Sequence, residues 1–280
     1  VAPGVRRIVA ENPSAFTHFG TNTYIVGRGE VAVIDPGPEI AEHVDNISAA
    51  LAGETVTQII VTHTHVDHSP ASSWLKELTS APILGAYPQP QASGKPVEAA
   101  QEDFKPDEVI SDGSLISGPN WNLRALYTPG HMSNHYCFAL EDNNILFSGD
   151  HVMGWNTTIV SPPDGNMRDY LRSLRICLGR DETLYLPGHG PEIRNTHSFV
   201  RAYLNHRLMR EDEIASCIAN GVNTIPAMVK SMYTHLPTEM HAAAARSVLA
   251  HIEHMAETGR VKYEGSIGDK TIFFSGEKDE

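Results

Sequence analysis

The stretch that decides the fold is Thr62-His63-Thr64-His65-Val66-Asp67-His68, which directly follows the apolar segment Thr57-Gln58-Ile59-Ile60-Val61. Alternating residues of an extended chain point to the same side, so its first two histidines can face one point. A helical pattern begins at Ser69, and the turn into that helix brings the aspartate and the third histidine to a neighbouring position. Imidazole and carboxylate are ligands that zinc accepts. The stretch therefore predicts a metal site at the end of a buried strand.

Three later segments repeat the arrangement of a strand followed by a candidate ligand. They are Thr128-Pro129-Gly130-His131, Phe147-Ser148-Gly149-Asp150-His151 and Leu186-Pro187-Gly188-His189-Gly190. Each contains glycine, which lets the backbone approach other groups closely. Each segment alone is a weak signal, but the four together predict one cluster of five histidines and two aspartates. The candidate metal ligands are His63, His65, Asp67, His68, His131, Asp150 and His189.

The surrounding pattern predicts an α/β domain followed by a helical region. Strands alternate with helices up to about residue 195, and polar clusters stand at the strand ends, which is typical of layered α/β domains. Beyond that point three helices are predicted at 199–219, 225–233 and 240–257, followed by a hairpin. We therefore predict a catalytic domain at residues 1–195 and a small winged-helix-like domain at residues 196–280.

Composition limits the classes of function. The 280 residues carry a net charge of −13, which weighs against a purely electrostatic binder of nucleic acid. No apolar run approaches the roughly 20 residues of a membrane span, so no membrane partner is expected. The three cysteines, Cys137, Cys177 and Cys217, are widely spaced, which favours a reducing compartment and a cytoplasmic location.

The four ligand segments, in this order, resemble those of the metallo-β-lactamase superfamily, and the resemblance covers roughly residues 15–195. It implies a four-layer αβ/βα sandwich with the metals at one edge of the two sheets. It implies that one zinc is held by His63, His65 and His131 and the other by Asp67, His68 and His189. Asp150 resembles the aspartate that bridges the two ions, and Asp35 resembles an aspartate that supports the ligands from behind.

Further segments resemble the lactamase-β-2-like subgroup of that superfamily. They are residues 18–24, 130–135 and 149–154, together with residues 206–211, which resemble the start of a winged-helix extension typical of the subgroup. An aspartate at position 150, with no cysteine there, argues against a true β-lactamase.

We therefore expect a metal-dependent hydrolase that holds two Zn²⁺ ions, with iron or manganese as alternative metals. A metal-bridging hydroxide would attack the substrate, and Asp67 would be both ligand and proton acceptor, which makes it the predicted catalytic residue. His135 and His151 lie near ligands, and we expect each either to orient a ligand, to contact substrate, or simply to pack.

The sequence does not decide between three classes of function for this site. The leading hypothesis is a small molecule with an ester, thioester or related bond. The first alternative is an endoribonuclease or phosphodiesterase that acts on single-stranded RNA. The second alternative is a non-hydrolytic, iron-binding redox protein of the same fold, against which the intact pattern of residues 63–68 argues. The oligomeric state is not predicted.

Overall fold

The computed structural model describes residues 1–89, 99–268 and 270–276. Residues 277–280 of the predicted second domain therefore lie outside the described residues. Within the described ranges the chain forms thirteen strands and six α-helices. None of these helices combines the length and the apolar character needed to cross a lipid bilayer.

The first sheet mixes antiparallel and parallel strands. Its six strands lie in the order of the sequence: β1 (Val5–Val9), β2 (Asn22–Arg28), β3 (Glu30–Ile34), β4 (Thr55–Ile60), β5 (Ile83–Gly85) and β6 (Glu108–Val109). The first three strands pair antiparallel, and β3 to β6 pair parallel. The β2–β3 hairpin turns at Gly29, whose φ of 75° suits glycine.

The second sheet has five strands. In spatial order they are β11 (Leu184–Pro187), β10 (Ile145–Gly149), β9 (Tyr136–Leu140), β8 (Trp121–Tyr127) and β7 (Leu115–Gly118). Only β10 and β11 pair parallel, and the other neighbours are antiparallel. It follows that β8, β10 and β11 run in the same direction and end at the same edge of this sheet.

Apolar side chains from the two sheets face each other and form the central core. Its members include Tyr24, Ile34 and Ile60 from the first sheet and Leu123, Phe138 and Phe147 from the second. Helices α1 (Ala41–Ala50) and α2 (Ala71–Thr79) cover the outer face of the first sheet, and α3 (Met167–Leu178) covers the outer face of the second. The order helix, sheet, sheet, helix is the four-layer αβ/βα sandwich that the sequence predicted.

The carboxyl-terminal region forms a second core. It contains α4 (Thr196–Ala219), α5 (Ile225–Met232), α6 (His241–Glu257) and the antiparallel pair β12 (Val261–Tyr263) and β13 (Phe273–Ser275). Ile214, Met228, Val248 and Phe273 are among its buried side chains. The first half of α4 packs instead with α3 in the core behind the second sheet. Residues on both sides of position 195/196 therefore share one hydrophobic core. The domain boundary predicted at this position stays a prediction.

The predicted ligands follow strands that end at one side of the sandwich. Residues 63–68 follow β4 of the first sheet, and His131, Asp150 and His189 follow β8, β10 and β11 of the second. A β-bridge between Thr21 and His189 ties the start of β2 to the loop after β11. The two sheets thus bring segments that are far apart in sequence to a common edge.

Candidate metal centre

The first cluster consists of three histidine nitrogens that converge. His63 Nε2 lies 3.1 Å from His65 Nδ1, and His131 Nε2 lies 3.0 Å from the same His65 nitrogen. His63 and His131 are buried, and His65 is half-buried. The nitrogens of a tetrahedral zinc site, with bonds of about 2.0–2.1 Å, lie about 3.3–3.4 Å apart. The spacing is therefore close to that of three ligands on one ion.

The second cluster brings together Asp67, His68 and His189. Asp67 Oδ2 lies 3.2 Å from His189 Nε2 and 3.5 Å from His68 Nε2, and the two histidine nitrogens are 3.3 Å apart. The loop before β2 supports the cluster, because the Thr21 hydroxyl donates to Asp67 Oδ2 and the Gly20 carbonyl accepts from His189 Nδ1, each at 3.3 Å.

Asp150 lies between the two clusters. Its Oδ2 is 3.3 Å from His189 Nε2 in the second cluster and 3.6 Å from His131 Nε2 in the first. Its Oδ1 is 3.5 Å from His68 Nε2. One buried carboxylate therefore faces both clusters, as the bridging position suggested by the family resemblance requires.

Asp35 fixes two of the histidines from behind. His68 Nδ1 donates to Asp35 Oδ2 at 2.9 Å, and the Thr62 hydroxyl donates to the same oxygen at 2.8 Å. The Thr62 oxygen can then accept from His63 Nδ1, which lies 2.9 Å away. The Nε2 lone pairs of both histidines are left for a metal. These hydrogen bonds agree with the supporting role predicted for Asp35, which stays a prediction, and they add Thr62, to which the sequence pattern assigned no role.

An Asp35→Asn substitution should weaken zinc binding by about 10–100-fold, as loss of such supporting groups typically does. The new amide NH₂ would face one of two donors, the Thr62 N–H or His68 Nδ1–H. Asn adopts the left-handed backbone readily, so the φ of 49° at this position is retained. Zinc affinity would be measured by competition with a chromophoric chelator. Asp45→Asn, on the exposed face of α1, is the control; equal affinities in the two variants would contradict the role of Asp35.

The His135 side chain holds the backbone of Asp150 in place. His135 Nε2 accepts a hydrogen bond from the Asp150 N–H at 3.2 Å. A Cβ on Gly149, whose φ is 48°, would lie only 2.6 Å from that nitrogen, so this turn requires glycine. His151 packs edge-on against Tyr170, with ring centroids 5.1 Å apart. Of the roles considered for these two histidines, His135 therefore orients a predicted ligand and His151 packs.

The first cluster holds neutral imidazoles. Burial, reinforced by the neighbouring histidines, lowers the pKa of His65 to about 3 and holds the pKa of His63 well below its ordinary value. Burial also lowers the pKa of His131. Neutral rings offer lone pairs at neutral pH, which is the form that binds metal.

The second cluster holds protonated imidazoles in the absence of metal. Burial alone would lower the pKa of His189, but the Asp150 carboxylate outweighs it and raises this pKa to about 9. The pKa of His68 is raised in the same way, chiefly by Asp67. Burial would raise the pKa of Asp67, but the charges of His68 and His189 outweigh it and hold this pKa below its ordinary value. The carboxylates are therefore ionised and attract positive charge.

The donor set fits a pair of cations. His131 Nδ1 donates to the Ile159 carbonyl at 2.6 Å and His63 Nδ1 to Thr62, so the Nε2 of each ring aims a lone pair at His65 Nδ1. A proton on His65 Nδ1 could be shared with only one of the two Nε2 lone pairs. A zinc ion at the centre could instead accept a lone pair from each of the three nitrogens. Asp150 Oδ1 is also buried without a hydrogen-bond donor among the described residues, and a cation would compensate it.

A family model described as "Metallo-beta-lactamase superfamily" matches residues 16–189. The chain belongs to the metallo-beta-lactamase superfamily. A second model, "Beta-lactamase associated winged helix domain", matches residues 224–270, within the region where the sequence predicted such a module. The predicted family and its carboxyl-terminal extension are thus confirmed.

Relatives and solved structures agree with this membership. The "Beta-lactamase-like protein 2 homolog" of Caenorhabditis elegans is 28% identical over 94% of this chain and 87% of its own. The "Atrochrysone carboxyl ACP thioesterase" of Aspergillus chevalieri is 28% identical over 99% of this chain and 89% of its own. A crystal structure of a beta-lactamase domain protein from Burkholderia ambifaria has a TM-score of 0.83 at 20% identity, covers 99% of this chain and 92% of its own, and shows the shared fold.

Superfamily membership and the two ligand clusters make the chain a metal-dependent hydrolase of the metallo-beta-lactamase superfamily. The structure brings all seven predicted ligand residues together, because Asp150 lies close enough to the first cluster, His63, His65 and His131, to share an ion with it, and Asp67, His68 and His189 form the second cluster. Their individual roles as ligands and the identity of the metal stay predictions. Two supporting groups, the carbonyls of Gly20 and Ile159, had no signal in the sequence, because a backbone oxygen carries no residue identity.

Proposed function

We propose that this metallo-beta-lactamase-fold protein is a zinc-dependent hydrolase that cleaves a thioester, or a related ester bond, of a small acyl substrate. The observation that carries the proposal is the placement of Asp150 between two ligand clusters, which suits two ions acting on one water and one carbonyl. Several relatives of similar length are named thioesterases, and these names favour the thioester over the other bonds considered.

Two bound zinc ions would supply Lewis acidity and lower the pKa of water. Among the chain's own groups, Asp67 is suited to accept the proton of that water. Its carboxyl is ionised, and its side chain is 22% exposed, against 9% for Asp150, so it can pass a proton to solvent. The water oxygen then bonds to the carbonyl carbon, the C–S bond breaks, and the leaving thiolate takes up a proton.

Exposed apolar residues next to groups of the candidate metal centre favour an acyl substrate. Phe19 is 76% exposed and precedes Gly20, whose carbonyl accepts from His189. Val66, between two predicted ligands, and Ile159, whose carbonyl accepts from His131, are also exposed. Exposed apolar side chains grouped at a site typically mark a ligand surface. Exposed apolar side chains of this kind suit an acyl chain better than a phosphodiester backbone.

The single-stranded RNA alternative is less favoured, because helix α6 of the winged-helix-like region carries little positive charge. Arg246 is the sole lysine or arginine of α6, which also carries two glutamates. Arg260 donates to Glu211 at 2.7 Å and to Asp212 at 2.8 Å. Proteins that bind nucleic acid normally present a basic surface to the phosphates. We therefore keep RNA cleavage as an outcome of the test.

The zinc-reconstituted protein would be assayed in parallel with acyl thioesters, carboxyl esters, lactones and a single-stranded RNA oligomer. We expect thiol release from a thioester with kcat/KM of at least about 10⁴ M⁻¹ s⁻¹ for the preferred acyl group, lost after treatment with a chelator. Cleavage of RNA with no turnover of any thioester or ester would refute the proposal.

The metal itself is tested separately, by elemental analysis of protein purified without added metal. About two zinc ions per chain are expected from the histidine-rich donor set. Iron, together with an O₂-dependent absorption spectrum, would instead support the redox alternative.

A further inference from the structure

The segment of residues 150–160, here called the bridging loop, connects the two metal clusters. It begins with Asp150, which lies between them. Near its other end the Ile159 carbonyl accepts from His131 Nδ1 at 2.6 Å. The position of that carbonyl selects the tautomer and the orientation of the His131 ring, as hydrogen-bond partners of ligand histidines do. Whatever holds the bridging loop therefore sets the geometry of the metal centre.

Side chains hold the carbonyl oxygens of the bridging loop. The Thr158 hydroxyl contacts the Asp150 carbonyl at 2.7 Å, and the Tyr170 hydroxyl donates to the His151 carbonyl at 2.9 Å. The Ser148 hydroxyl donates to the next carbonyl along, at 2.7 Å. Buried carbonyls need such partners, and a loop without regular structure must obtain them from elsewhere in the fold.

Helix α4 supplies the remaining partners. The Tyr203 hydroxyl donates to the Met153 carbonyl at 2.7 Å and also contacts the Asn156 carbonyl. One turn further, the Arg207 guanidinium donates to the Thr158 carbonyl. Thr158 is the residue directly before Ile159, so Arg207 acts one peptide away from the carbonyl that orients His131.

Burial of the Arg207 guanidinium is energetically unfavourable. Arg207 is 3% exposed, its guanidinium lies 5.2 Å from the centroid of the Tyr170 ring, and its Nε has no hydrogen-bond partner among the described residues. A buried charge is costly, and an apolar side chain of similar volume often stabilises a protein as well or better. Packing alone therefore does not account for an arginine here, whereas donation to the bridging loop does.

We propose that Tyr203 and Arg207 are positioning residues of the metal centre, which act through the bridging loop on His131 and Asp150. Both lie on the carboxyl-terminal side of the predicted domain boundary. Helix α4 would therefore help to determine the geometry of the metal centre. The proposal rests on metal binding and is independent of the substrate, so it can fail or hold whether or not the protein hydrolyses thioesters.

The test is a titration of metal-free Arg207→Met protein with Co²⁺, followed by the visible absorption of the bound ion. Methionine keeps much of the buried volume and removes the donor. We expect at least one of the two Co²⁺ equivalents to bind about tenfold more weakly, with an altered absorption band. Arg201→Met, on the exposed side of the same helix, is the matched control and should bind like the unaltered protein.

Two conservative variants keep the test decisive if Arg207→Met does not fold. Arg207→Lys keeps one donor and should restore part of the Co²⁺ affinity, and Tyr203→Phe removes one hydroxyl with little change in packing. A lowered melting temperature with unchanged Co²⁺ affinity and spectrum in Tyr203→Phe and in the Arg207 variants would show a purely structural role and overturn the proposal.

Discussion

Asp150→Ala should lower kcat/KM by at least about a thousandfold and reduce the bound metal below two ions per chain. The carboxylate is 9% exposed, and its oxygens lie 3.3–3.6 Å from nitrogens of His68, His131 and His189. Removal of one group that stabilises charge in an active site typically lowers kcat by about 10²–10³-fold, and the loss of a bound ion would add to this effect. Among the described residues, Asp150 is the carboxylate grouped with His63, His65 and His131 as a possible ligand of one ion.

Metal content after dialysis and turnover after reconstitution with zinc would be measured on the same preparation. Asp142→Ala is the control, because Asp142 is exposed in the turn between β9 and β10. Its metal content and rate should match those of the unaltered protein. An Asp150→Ala protein with two ions and normal turnover would show that the carboxylate does not bridge, and the role predicted for Asp150 would have to be abandoned.

The metal centre could be predicted because its ligands are concentrated in the sequence. Residues 63–68 contribute three histidines and an aspartate directly after a strand, and the other three ligand segments also follow strands. Strand ends gather at the edge of a sheet, so the chain needs no further information to bring these residues together. Helices α5 and α6, predicted at 225–233 and 240–257, are observed within one residue of those ends, since each has a regular apolar period.

Several elements of the sheets were not predicted, because tertiary contacts define them. Strand β6 is only Glu108–Val109, both exposed, and it exists through its pairing with β5. Strand β1, Val5–Val9, has no period-two alternation, since its three middle residues are all half-buried. Short segments of this kind carry too little local signal to be distinguished from loops.

The supporting groups on α4 were missed for another physical reason. The helix was predicted at 199–219 and observed at Thr196–Ala219, but its buried residues include Arg207 and Glu211. A periodic pattern assigns such residues to the solvent side. The helix has two burying faces, because its first half packs on α3 and its second half packs in the carboxyl-terminal core. A single amphipathic period cannot describe a helix of this kind.

Gly188→Ala should disrupt both metal clusters although it adds one methyl group. A Cβ at this position would lie 2.4 Å from Asp150 Oδ1 and 2.7 Å from His68 Cε1. Neither neighbour can yield without leaving its place in the centre, and strain of this kind costs about 1–3 kcal/mol. We expect metal affinity to fall by at least about fivefold, the lower end of that range, and kcat/KM to fall by at least about a hundredfold, since misplaced reacting groups lose rate steeply.

The Gly188→Ala substitution tests the contact of the added methyl group with Asp150 and His68, because it neither strains the backbone nor removes a backbone hydrogen bond. The φ of Gly188 lies outside the left-handed region, and alanine keeps both of its backbone hydrogen bonds, from its N–H to the Gly149 carbonyl and from the Asn22 N–H to its carbonyl, each 2.8 Å. Gly179→Ala at the end of α3 is the control, because its Cβ would meet no atom closer than 3.5 Å. Zinc affinity, turnover and melting temperature would be compared between the two variants. Equal zinc affinity would mean that the ligands can move away from the added methyl group, and the close approach of Gly188 to Asp150 and His68 would then not be required for metal binding.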